Sequence, residues 1–106
     1  MQEVPESIRV DEDLMRYALE ITRATRADYR VAIGVSPRGS QRLFEAARAR
    51  AVLDGEAFVT PDTIKRIARP VLAHRLVLTA DAQVNDIDKD EIIDDVLEEI
   101  PVPTVD

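Results

Sequence analysis

Twice in this chain a Ser or Thr stands directly before a proline at the head of an apolar stretch: Ser36-Pro37-Arg38-Gly39 and Thr60-Pro61-Asp62. A hydroxyl residue caps the first N–H groups of a helix. Proline is tolerated at the first helical position because an N–H there has no partner inside the helix. The two dipeptides therefore mark where two helices begin. From Pro37 a helix is expected to run to about Asp54. It is alanine-rich, with Leu43, Ala46, Ala47 and Ala51 on its apolar side, and Gly55 ends it as a left-handed cap. From Pro61 the stripe Ile64, Ile67, Ala68, Val71 and Leu72 predicts a further helix. Pro70 lies inside that stripe, so a kink or break is expected between Ala68 and Val71.

Two more helices frame these. One starts at Asp11, an N-cap followed by Glu12 and Asp13, with Leu14, Ala18, Ile21 and Thr25 at helical spacing and Tyr17 beside them. It ends near Arg26. A connector from Asp28 to Val35 carries Val31, Ile33 and Gly34. Leu76 to Leu78 has the character of an extended segment. The last helix starts at Asp88, with Glu91 three residues on as a capping box, and buries Ile92, Ile93, Val96, Leu97 and Ile100. Pro101 and Pro103 stop it and leave an extended tail, 101–106. The class is all-α, a small bundle of about four helices with the third kinked or broken near Pro70. A chain of 106 residues makes one domain. It has no cysteine, which excludes a disulfide framework, a thiolate zinc site and a cysteine nucleophile. No apolar run approaches the ~20 residues of a membrane span, and the N-terminus lacks a signal peptide's pattern. A soluble, cytoplasmic protein is the expectation.

The net charge of −7 argues against non-specific binding to nucleic acid, yet it hides a segregation. Residues 23–75 hold 11 basic and 5 acidic side chains, and residues 76–106 hold 1 basic and 10 acidic. A basic middle and an acidic end imply two faces, one suited to an anion. Lysine occurs only at 65 and 89, so the basic groups are nearly all planar guanidinium donors. Arg38 is the notable one. It sits in the first turn of a helix, where a cation opposes the dipole at a cost of roughly 0.3–1 kcal/mol. Two readings stand on local physics. A solvated arginine tolerated at low cost is the plainer. The other is an arginine directed at phosphate, beside helix N–H groups that also favour an anion.

The remaining candidates point to ordinary structure. The phosphate-cradling pattern G-x-x-x-x-G-K-[ST] is absent, since the only glycines are 34, 39 and 55. His74 is the one histidine, and its neighbours Leu72, Ala73 and Leu76 place it by an apolar stripe as a structural residue. Asp86, Asp88 and Asp90 mimic the start of a calcium loop. Glu91 stands where that loop needs glycine and Leu97 where it needs a bidentate glutamate. The run reads instead as a helix cap and, with Asp94, Asp95, Glu98 and Glu99, a solvated acidic face. Two tyrosines and two phenylalanines are too few for a base-stacking platform.

Four motifs occur in order: Ala24-Thr25-Arg26, Ile33-Gly34-Val35-Ser36-Pro37-Arg38, Phe58-Val59-Thr60-Pro61-Asp62, and Pro70-Val71-Leu72-Ala73-His74-Arg75-Leu76. Together they resemble the C-terminal lid domain of MoxR-type AAA+ ATPases, whose pattern runs A-T-R, G-A-S-P-R-A, V-T-P-x-D and P-V-L-x-H-R-L. The motifs span residues 24–76, and the helix boundaries extend the likeness to nearly the whole chain. Val35 and Gly39 depart from the pattern, each standing where it has alanine.

The resemblance implies a helical lid over residues 11–100, preceded by a linker, 1–10, from a nucleotide-binding core that carries the Walker motifs. It implies that the chain begins inside a longer protein and is inactive alone. The lid closes over ATP and Mg2+ bound by the parent, with Ser36, Pro37 and Arg38 at the nucleotide and Arg38 as the sensor 2 arginine that reaches the γ-phosphate. Partners are then the protein's own core and neighbouring ring subunits, with a von Willebrand factor A domain protein as a further one and neither nucleic acid nor membrane. The parent's role would be that of a chaperone for complex maturation or metal cofactor insertion. Arg26 takes either an interface role or a contact with its own helix's C-terminal end. The alternative to all this is a free-standing helical interaction module. A helix-turn-helix DNA binder is disfavoured by the acidity and the alanine-rich second helix.

Overall fold

The computed structural model describes residues 6–103, with side chains from Glu12 onward. Among these residues the chain forms five α-helices and one small antiparallel ribbon. Helix α1 spans Glu6–Ala27. It begins five residues before the expected cap at Asp11, which lies inside it: no glycine or proline in residues 6–10 interrupts the helix. Part of the expected linker is thus helical, and the rest lies outside the described residues, as do 104–106 of the expected tail.

Asp28 turns the chain out of α1. Its Oδ1 accepts from the Arg30 N–H at 2.9 Å and its carbonyl accepts from Val31 N–H at 3.1 Å. Strand β1, Val31–Ile33, follows and pairs with β2, Val77–Leu78. Val31 meets Leu78 on the buried side. Ile33 and Val77 pair on the exposed side, with an irregularity between the two pairs. This ribbon gives the connector Asp28 to Val35 and the extended Leu76 to Leu78 a common explanation.

Helix α2 spans Pro37–Leu53 and ends at Gly55, whose φ of 72° is the left-handed conformation expected there. Helix α3, Pro61–Leu72, begins at Thr60, whose side chain accepts from Thr63 N–H at 3.2 Å. The helix runs through Pro70, and its winding changes only at Ala73, where a 3₁₀ turn covers Ala73–Arg75. Proline deprives the Arg66 carbonyl of its donor, but Arg66 and Pro70 are both exposed, so the loss falls on the solvent side of the helix. Helix α4, Ala80–Val84, capped by Thr79, was not foreseen. Helix α5, Lys89–Glu99, starts at Asp88 as expected, with the aspartate accepting from Asp90 N–H at 2.9 Å.

Helix α2 packs between α1 and α3, and α5 closes against both of the latter. The core is Leu14, Tyr17, Ala18 and Ile21 of α1, Leu43, Phe44, Ala47 and Ala51 of α2, Ile64, Ala68 and Leu72 of α3, and Ile92, Ile93 and Val96 of α5. The small residues Ala18, Ala47 and Ala68 are almost fully buried, which lets these helices come close.

Candidate functional site

The N-terminus of α2 is built on Ser36, whose backbone is extended (φ −69°, ψ 162°), and on Pro37 at the first helical position. This is the start the sequence predicts. Its chemistry differs in one respect: the Ser36 side chain makes no capping hydrogen bond, and no acid stands in the first turn. Helices α3, α4 and α5 each have a side-chain cap and an acid there. Fewer backbone donors are free than a bare helix end offers. Pro37 has no N–H, and Gly39 N–H donates to the Ser36 carbonyl at 2.8 Å. The guanidinium of Arg38, with five N–H donors, is the main donor group of this end. Arg38 is exposed and makes no hydrogen bond or ion pair among the described residues. Ser36, Pro37 and Arg38 thus sit consecutively at one exposed helix end, where a planar cation meets the positive pole of α2.

The loop leading to this end is held by α1. Val35 N–H donates to Thr25 Oγ1 at 3.1 Å, and Arg26 Nη1 donates to the Val35 carbonyl at 2.7 Å. Arg26 therefore spans to the next element rather than capping its own helix. Gly34 lies against α1 so closely that a Cβ there would be 2.7 Å from Arg26 Cα, which only glycine avoids. In the sequence Ala24-Thr25-Arg26 stands out as a motif in which Thr25 falls on the apolar stripe with no evident polar task. A hydroxyl on the buried face of a helix, followed nine residues later by a glycine, was the available signal.

Other candidates fall elsewhere. His74 is exposed in the 3₁₀ turn, not seated on the apolar stripe: the change of winding at Ala73 rotates it outward while Leu72 and Leu76 stay buried. Two acids of the supposed solvated face have partners. Arg69 of α3 holds Asp94 through two hydrogen bonds, the Nε contact being 2.8 Å. Arg30 Nη1 donates to Asp95 at 2.9 Å while Nε and Nη2 hold Asp28 at 3.0 and 2.8 Å. Hydrogen bonds from Arg30 hold the Asp28 carboxyl below its ordinary range, and those from Arg69 do the same for Asp94. Both guanidinium pKa values rise in return. Among the described residues, no group of three or more His, Asp or Glu is placed to hold a metal ion.

Residues 23–96 match the AAA lid domain family. The chain belongs to that family. The MoxR type of this lid follows from its relatives. The chain is 33% identical to the chaperone MoxR1 of Mycobacterium tuberculosis over 114 aligned positions, covering 99% of this chain and 30% of that protein. It is 50% identical over 46 residues to protein MoxR of Paracoccus denitrificans, 43% of this chain and 14% of that one. An uncharacterised protein of Bacillus subtilis, YeaC, is 35% identical over 97% of this chain and 32% of its own length. The crystal structure of a provisionally assigned ATPase from Cytophaga hutchinsonii superposes with a TM-score of 0.81 at 29% identity, over 93% of this lid and 33% of that chain. The lid thus spans about a third of the length of these whole-chain matches.

Proposed function

We propose that this domain is the mobile lid of a MoxR-type AAA+ ATPase and that Arg38 contacts the terminal phosphate of ATP when the lid closes. The observation that carries the reading is the state of the α2 N-terminus: an exposed guanidinium without a carboxylate partner among the described residues, at a helix end lacking both a side-chain cap and an acid. That donor set fits a phosphate. A charge-assisted, planar contact to phosphate oxygens is the strong use of an arginine, and the dipole of α2 adds to it. Ser36 and Pro37 set the direction in which the helix end faces. When bound, ATP with Mg2+ supplies the phosphoryl bond whose cleavage drives the cycle. Arg38 would offset the charge that builds on the phosphoryl oxygens, a preorganised electrostatic contribution. Ligands for Mg2+ and the attacking water are assigned to the ATPase core.

On this reading the lid is inactive alone. Its partners are its own core and neighbouring subunits of a ring, and a von Willebrand factor A domain protein works beside the assembly. The parent would be a cytoplasmic chaperone for complex maturation or metal cofactor insertion; the mycobacterial relative is itself named a chaperone. The test is ATP turnover by the full ATPase carrying this lid with Arg38→Ala. We expect a loss of one to several orders of magnitude, as for other phosphate-stabilising arginines. Turnover within about twofold of the unmodified enzyme would remove the sensor role.

A further inference from the structure

One residue, Val35, lies between α1 and the arginine-bearing end of α2, and α1 holds both its N–H and its carbonyl. The Val35 N–H donates to Thr25 Oγ1 and the Val35 carbonyl accepts from Arg26 Nη1, at 3.1 and 2.7 Å. The Thr25 hydroxyl is itself fixed, because it donates to the Thr22 carbonyl at 2.6 Å and so turns its lone pairs to Val35. Thr25 is fully buried, and Val35 is 2% exposed. The Val35 side chain lies under the first turn of α2, where a Cβ on Gly39 would come within 2.1 Å of its Cγ1. Backbone and side chain of one residue thus fix both the approach to Ser36 and the residue that follows Arg38.

We propose that Thr25 and Arg26 are positioning residues for Arg38: through Val35 they set where the first turn of α2 stands, and hence where the guanidinium reaches. The proposal rests on the reading of Arg38 as a phosphate contact. Neither residue touches phosphate on this account. Arg38 has a long, flexible side chain, so the fixed end of that side chain decides its reach. A misplacement of about 1 Å at such a contact costs up to about a hundredfold in rate. Arg26 suits the task because a charged donor to a carbonyl is stronger than a neutral one.

The experiment is a double-mutant cycle in the full ATPase carrying this lid, reading kcat for ATP turnover. Arg26→Ala is expected to lower kcat about tenfold, within the range such misplacement allows. Added to Arg38→Ala it should lower kcat by less than about twofold more, since the residue it positions is already gone. Arg26→Lys, which keeps one charged donor, should recover most of the loss. Thr25→Val should act like Arg26→Ala, and Thr25→Ser, which keeps the hydroxyl, should not. This second pair carries the test where Arg26→Ala lowers the folded fraction. If Arg38→Ala is strongly impaired but Arg26→Ala multiplies its loss in full, the positioning role is overturned and the sensor reading stands. If Arg38→Ala itself leaves kcat unchanged, the sensor reading falls and the positioning role with it.

Discussion

Val35 and Gly39 both depart from the MoxR-type lid pattern, and any side chain at 39 would enter the space that Val35 fills. A methyl on residue 39 would overlap Val35 Cγ1, so the larger residue at 35 requires the smaller one at 39. Gly39→Ala gains up to about 1 kcal/mol of helix propensity. It must also push aside a buried, β-branched valine, and overpacking of this kind costs about 1–3 kcal/mol. We expect a net loss of stability in urea unfolding. Val35→Ala should relieve it, giving a favourable coupling of at least about 1 kcal/mol in the double-mutant cycle. Strict additivity of the two changes would show that the overlap is absorbed elsewhere. At this scale Arg38 was legible from its neighbours Ser36 and Pro37. The task of Arg26 was not, because its acceptor is a carbonyl nine residues away, and carbonyls leave no mark in a sequence.

Ser36 differs from the caps of α3, α4 and α5, whose side chains each accept a backbone N–H. Thr60 Oγ1 accepts from Thr63 N–H, whereas Ser36 has the backbone of a cap without the bond. Thr60→Ala should therefore destabilise the domain by about 1 kcal/mol, and Ser36→Ala should be close to neutral in a thermal melt. Equal effects would mean that Ser36 caps α2 in solution after all. Three of the four expected helix starts were legible because hydroxyl-proline pairs and an N-cap aspartate act within one turn, although Asp88 accepts from Asp90 N–H and forms no capping box with Glu91 among the described residues. The start of α1 was not, because nothing in residues 6–10 forbids a helix and Asp11 is compatible with a helix interior. Helix α4 is five residues long, too short for a periodic stripe to show. Pro70 stands inside α3 on its solvent side and does not break the helix, which tightens three residues on, at Ala73.

Across the whole molecule the acidic end folds back onto the basic middle. Arg30 binds Asp95 and Arg69 binds Asp94, so part of the segregated charge is neutralised inside the domain, along α5. Asp28 and Asp94 have carboxyl pKa values lowered by their arginines. The stability they contribute is fully present above the ordinary carboxylate value of about 3.9 and is lost as the pH falls through their lower folded values. Thermal melts between about pH 6 and pH 2 should show the midpoint falling at the acid end. Asp28→Asn should lower the midpoint at neutral pH and flatten that fall. A variant curve parallel to that of the unmodified domain would sink the assignment. Asp28 is the better probe, because its ion pair is less exposed than the Arg69–Asp94 pair.

Local chemistry, written in residues one to four apart, determined by itself that this chain is helical, where most helices start and stop, and that an arginine stands at the head of α2. Capping, proline and apolar periodicity all act within a turn or two, and a sequence records such distances directly. Only the tertiary structure decided that β1 pairs with β2 across more than forty residues, that His74 faces solvent, and that α5 is tied to arginines of the middle segment. It alone brought Thr25 and Arg26 onto the residue that precedes Ser36. These are contacts between elements, set by how helices of particular length and side-chain size pack, and no short window of sequence contains both partners.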